Sequence, residues 1–190
     1  MMIDPTLTEP GPWVCPPEPE RLPRVTEILM KSGLVPFAHF TDFSRERGTA
    51  VHMACQYHDE GQLDESSVDE AVAPYLVQYK RFMFESGATV VSVEKEIVNV
   101  DWGFIGHFDR VMVINGVEYL VDIKTGQPQP WHAIQLAAYR SGAGLQLRRA
   151  GLYLSPTGYK FIEHKGVTDW EVFRSALMLY NWRKKCGMLS

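Results

Sequence analysis

The sequence predicts an α/β (α+β) sandwich in which a mixed central β-sheet is flanked by helices. Three observations lead to this class. Apolar residues recur at helical spacing up to residue 87, β-branched and aromatic residues then fill three stretches between 89 and 124, and helix and strand patterns alternate again from 131 onward. Between the second and third strand stretches stands Asn115-Gly116, the signature of a two-residue type I′ hairpin. Near the C-terminus, Thr168-Asp169-Trp170-Glu171 has the form of a capping box that opens a last amphipathic helix.

Taken in order, residues 1–23 hold seven prolines, which remove backbone donors and imply an extended N-terminal arm. Residues 24–190 are then of a size suited to a single domain with one core. Val25, Ile28, Leu29 and Met30 predict a short helix over 25–34, stopped by Gly33 and Pro36. A second helix is predicted over 47–57, with Val51, Ala54 and Cys55 inward. The acidic run from Asp59 to Glu70 reads as a surface loop, and Val72, Leu76, Tyr79 and Met83 predict a helix over 68–85 with Pro74 in its first turns. Strands follow over 89–98, 102–114 and 117–124, then a helix over 131–139, strands over 150–154 and 160–164, and the capped final helix.

Hydrophobic residues form 45% and charged residues 22% of the chain, as in soluble globular proteins. No apolar run approaches the roughly 20 residues of a membrane helix, and the N-terminus lacks a signal-peptide layout, so a cytoplasmic protein is expected. Cys15, Cys55 and Cys186 are odd in number and widely spaced, which excludes a disulfide framework and a CxxC knuckle. The net charge of −4 excludes a protein that coats nucleic acid by bulk electrostatics, though not local binding.

The chemistry concentrates on the hairpin. A two-residue turn at Asn115-Gly116 pairs Ile114 with Val117, Val111 with Leu120, and Asp109 with Asp122. Alternation then puts His107, Asp109, Asp122 and Lys124 on one face and Phe108, Met112, Ile114, Val117, Tyr119, Val121 and Ile123 on the other, where Arg110 is the exception. Two carboxylates facing each other repel unless a cation or shared proton neutralises them, and a hard divalent ion such as Mg²⁺ or Mn²⁺ suits them. Such an ion activates water and offsets charge in phosphoryl chemistry. Lys124 stands two residues beyond Asp122 on the same face, placed to orient that water and stabilise the phosphate.

At these residues the chain resembles the PD-(D/E)XK nuclease superfamily and, within it, the RecB-like branch that includes phage recombination exonucleases. The strings are RGTAVH at 47–52, GHFDRV at 106–111, DIKTG at 122–126 and QLAAY at 135–139, in the family's order. The resemblance implies a restriction-endonuclease-like core and metal ligands at His52, Asp109 and Asp122. It further implies catalysis by Lys124, with Gln135 and Tyr139 on a helix facing the site to bind substrate or support the lysine. Family members often add an acid on the preceding strand. Glu94 and Glu96 both qualify, and Glu94 is favoured, although periodicity points them to the same face. The cysteine cluster of the iron-sulfur members is absent, so no iron-sulfur cluster is expected.

The implied activity is Mg²⁺- or Mn²⁺-dependent hydrolysis of DNA, by an exonuclease of recombination or repair, in a phage or prophage setting. No P-loop string occurs, so a helicase partner is a separate chain, as would be a recombinase or single-strand-binding protein. A non-cutting module that binds nucleic acid or protein, and a site-specific endonuclease, are the alternatives.

Overall fold

A computed structural model of the chain describes residues 21–36 and 41–189. Its centre is a five-stranded sheet in the order β1-β2-β3-β4-β5, comprising Thr89–Asn99, Phe104–Ile114, Val117–Lys124, Arg148–Ser155 and Gly158–Glu163. β3 and β4 are parallel and the other neighbours antiparallel. The parallel pair needs a crossover, which α4 (Pro130–Gly142) supplies. α1 (Val25–Lys31), α4 and α5 (Asp169–Lys185) cover one face, where Ile28, Leu136 and Phe173 pack on Phe104 and Leu120. α2 (Asp42–Asp59) and α3 (Ala73–Ser86) cover the other, where Val51, Tyr79 and Phe82 pack on Met112, Val121 and Leu152. The mixed, helix-flanked sheet predicted from the sequence is therefore present.

Local chemistry explains most of the element boundaries. Asn115 and Gly116 have φ of 51° and 74°, both positive as a type I′ turn requires. α2 starts five residues before the predicted position because the Thr41 hydroxyl accepts from the Ser44 amide, a cap that no apolar run advertises. α3 starts later than predicted, with Pro74 in its first turn, and the acidic segment before it holds a short 3-10 turn, Glu65–Ser67. The capping box expected at Thr168 does not form: its ψ of −1° is already near helical, and its side chain makes no capping bond.

The predicted arm falls largely outside the described residues, which begin at 21. At its end, the Pro23 carbonyl accepts from the Ile105 amide and Arg24 bridges in parallel to Ile105, so this stretch runs alongside β2. No helix among the described residues is long and apolar enough to cross a membrane.

One departure from regular alternation matters for function. Phe108 packs with Phe104 against α1, α4 and α5, whereas Arg110, Met112 and Ile114 point to the α2–α3 side. The expectation that Phe108 shares a face with Met112 is thus overturned. The strands change face at the Glu94–Asp109 position, which is missing from the ladder between Val93↔Arg110 and Lys95↔Phe108. Glu94 has φ of 41°, a left-handed conformation that reverses the alternation there.

Candidate functional site

Three strands and two helices meet at this irregularity. α2 contributes His52, β1 Glu94, β2 Asp109, β3 Asp122 and Lys124, and α4 Gln135 and Tyr139. The β2–β3 ladder ends at Arg110↔Val121, one pair short of the two aspartates. In place of the next ladder bond, the Asp109 carboxylate accepts the Ile123 amide at 2.6 Å. The same oxygen lies 3.4 Å from His52 Nδ1. Ligand atoms of His52, Glu94 and Asp109 all lie within 4.8 Å of one another.

Asp122 stands beside this cluster, 2% exposed, with one carboxylate oxygen 2.5 Å from Lys124 Nζ. That oxygen is fully buried and has no further hydrogen-bond partner among the described residues. The charges sort the two aspartates. Burial raises Asp109, but His52, Lys124 and the Ile123 amide outweigh it and hold the group at about 2. Burial, aided by the Asp109 charge, pushes Asp122 up to about 6 against the pull of Lys124. Burial also pulls the Lys124 ammonium down, yet Asp122 and Asp109 prevail and it stays charged. His52 is likewise raised, because Asp109 overcomes the cost of its burial.

Glu94, the acid favoured from the sequence, reaches the cluster, whereas Glu96 is exposed among Arg24, His107 and Tyr139. Burial and the neighbouring Asp109 charge raise the Glu94 carboxyl. Gln135 and Tyr139, each 4% exposed, are buried: Gln135 Nε2 donates to the Tyr139 hydroxyl at 2.8 Å, and its Oε1 has no hydrogen-bond partner among the described residues. Tyr139 lies against Gly106, which ties the GHFDRV and QLAAY segments together sterically.

A cleft of about 600 Å³ is lined by His52, Glu94, Lys124 and Thr125 together with Gly48 and Thr49. A second cavity of about 320 Å³ shares Lys124 and Thr125 with it and continues past Arg47, Gln127, Trp131 and His132. Arg47 stands with its guanidinium 5.2 Å from the ring of Tyr75 and 5.7 Å from that of Phe43, and its buried Nε makes no hydrogen bond among the described residues. Trp131 packs on the α1–α4–α5 core and lies 5.9 Å from Lys124 Nζ.

Sequence reasoning missed the group beneath the cluster. Arg110 is wholly buried and pairs with Asp59, which in turn accepts from the Tyr79 hydroxyl. The one available signal was Arg110 itself, a charge on a face otherwise apolar.

As a donor set, one imidazole nitrogen, two convergent carboxylates and the buried Asp122 carboxylate beside them fit a hard divalent cation such as Mn²⁺ or Mg²⁺. No family model matches the chain, and no curated protein does. Solved structures do match. A protein named "Putative exonuclease" from Eubacterium rectale aligns with a TM-score of 0.51 and 12% identity over 86% of this chain and 74% of its own. An alkaline exonuclease from Laribacter hongkongensis aligns with a TM-score of 0.43 and 18% identity over 87% of this chain and 94% of its own. At 12% identity the first likeness establishes a shared fold, and the site has to be argued from its own residues.

Proposed function

We propose that this chain is a metal-dependent DNA nuclease that hydrolyses phosphodiester bonds, acting from strand ends in recombination or repair. The observation that carries the reading is the convergence of His52, Glu94 and Asp109 within 4.8 Å, beside a buried Asp122–Lys124 pair and beneath an open cleft. The preference for ends, the biological setting and the separate recombinase, single-strand-binding or helicase partners rest on the family resemblance of the four motif strings.

In this reading His52, Glu94, Asp109 and Asp122 hold Mg²⁺ or Mn²⁺. When bound, such an ion acts as a Lewis acid that lowers the pKa of water and offsets charge on a phosphoryl oxygen. The protein's own groups do the rest. Lys124 remains an ammonium between two carboxylates, so it donates hydrogen bonds and stabilises the developing negative charge. The Ile123 amide fixes the orientation of Asp109. Arg47, which lines the adjoining cavity, meets a phosphate of the strand that leads into the site. A local groove of this kind is compatible with a net charge of −4.

The test is a time course on end-labelled single- and double-stranded DNA with Mn²⁺. Wild-type protein should release labelled products and leave covalently closed circles intact. Asp122→Ala and Lys124→Ala should each slow release by about 10²-fold or more, the scale of losing one transition-state charge contact. Digestion by both variants at the wild-type rate would place the chemistry elsewhere, and cleavage of closed circles would remove the dependence on ends.

A further inference from the structure

Arg110 is the largest fully buried side chain among the described residues, and the proposed reaction does not touch it. An unpaired guanidinium in such a place is strongly disfavoured, so its partners carry meaning. Its Nε donates to Asp59 at 2.6 Å, and Nη1 donates to the Asp109 carbonyl at 2.7 Å and to Glu94 Oε1 at 3.3 Å. The Tyr79 hydroxyl closes the far side, 2.8 Å from both Asp59 oxygens. Asp59 ends α2 and Tyr79 sits in α3, so two helices fix the guanidinium from behind while Nη1 meets two residues of the ligand cluster in front, and Nη2 has no hydrogen-bond partner among the described residues.

The residue gripped is the strained one. Glu94 occupies a left-handed conformation at φ 41°, which non-glycine residues hold only where their surroundings over-determine it. Neither Glu94 nor Asp109 is fixed by the β1–β2 ladder at this point. Arg110 supplies what the ladder omits, because one rigid, planar group bonds both the Asp109 backbone and the Glu94 carboxylate.

We propose that Arg110, held by Asp59 and Tyr79, is a positioning residue that fixes Glu94 against Asp109 and thereby sets the divalent-cation affinity of the His52–Glu94–Asp109 cluster. The inference rests on the reading of that cluster as a metal centre. Its test uses Mn²⁺ alone, measured by titration calorimetry on the intact chain, so that no nuclease activity is needed. Wild type should bind Mn²⁺, and Arg110→Lys, which keeps the charge and loses the fork, should weaken binding about 10-fold or more, the scale seen when groups orienting a ligand are removed. Glu94→Gln should weaken it comparably, and the double variant should be no weaker than Glu94→Gln alone, because both changes remove one ligand.

Tyr79→Phe, which deletes a single hydroxyl, serves where Arg110→Lys fails to fold, and should lower affinity in the same direction. A merely structural Arg110 would reduce the melting temperature and leave Mn²⁺ affinity unchanged, or give additive losses in the double variant; either result overturns the proposal. Wild type that binds no Mn²⁺ would instead overturn the metal-centre reading itself.

Discussion

Gly106→Ala tests whether the contact between β2 and α4 holds the site together. A Cβ at this position would lie 2.8 Å from both Cδ1 and Cε1 of Tyr139 and 3.3 Å from Cγ2 of Val25. Carbon atoms prefer separations of about 3.5–4.0 Å, so the ring would have to retreat by about 0.7 Å or more. It has little freedom to do so, being 4% exposed and bonded through its hydroxyl to Gln135. Overpacking of this kind costs about 1–3 kcal/mol. For a chain of this size, 2 kcal/mol corresponds to a melting temperature lower by about 4–8 °C. Scanning calorimetry on metal-free protein reads the shift, and a cycle with Tyr139→Leu isolates its cause. Removing the ring should recover most of the loss, giving a coupling of about 1 kcal/mol or more. An unchanged or higher melting temperature, or additive effects in the cycle, would refute the steric argument.

Two further predictions concern charge. With Asp122 pushed up to about 6, the folded, metal-free protein keeps a proton there that the unfolded chain has already released. This group therefore adds stability at acid pH that fades as pH rises through about 6, and the proton competes with any cation the carboxylate holds. Mn²⁺ affinity should fall at least tenfold between pH 7 and pH 5, because the raised His52 imidazole must also lose its proton to ligate, and Asp122→Asn should make the profile shallower, whereas equal wild-type affinity at the two pH values would sink the idea. Arg47→Ala should weaken DNA binding, measured by fluorescence anisotropy with Ca²⁺ in place of Mn²⁺, and lower the slope of log affinity against log salt by about one. An unchanged slope would mean that Arg47 meets no phosphate.

How much of this was legible in the sequence depends on how local each determinant is. The Asn115-Gly116 turn was readable because only positive φ at both positions closes a two-residue hairpin, and those residue types tolerate it. Once the turn is fixed, period-two alternation carries outward along β3, and the neighbourhood of Asp122 and Lys124 follows. The same rule fails on β2 and β1, where the backbone reverses at Glu94 and sends Phe108 to the face opposite Met112. No propensity marks a glutamate for the left-handed region, so periodicity had no means of separating Glu94 from Glu96.

The buried ion group illustrates the harder case. Asp59 and Arg110 are 51 residues apart and meet only because α2 crosses the sheet with its C-terminal end beside β2. Within the acidic run Asp59 looks like one more solvated charge, yet its side chain is 2% exposed. A lone arginine in an apolar strand face is the half of such a pair that a sequence does reveal, since a buried guanidinium requires an acid. Topology decides which acid answers, and here it is the same topology that brings His52 over Asp109. The two pairings share α2 and β2, so displacing Arg110 from Asp59 should be felt at the cleft above.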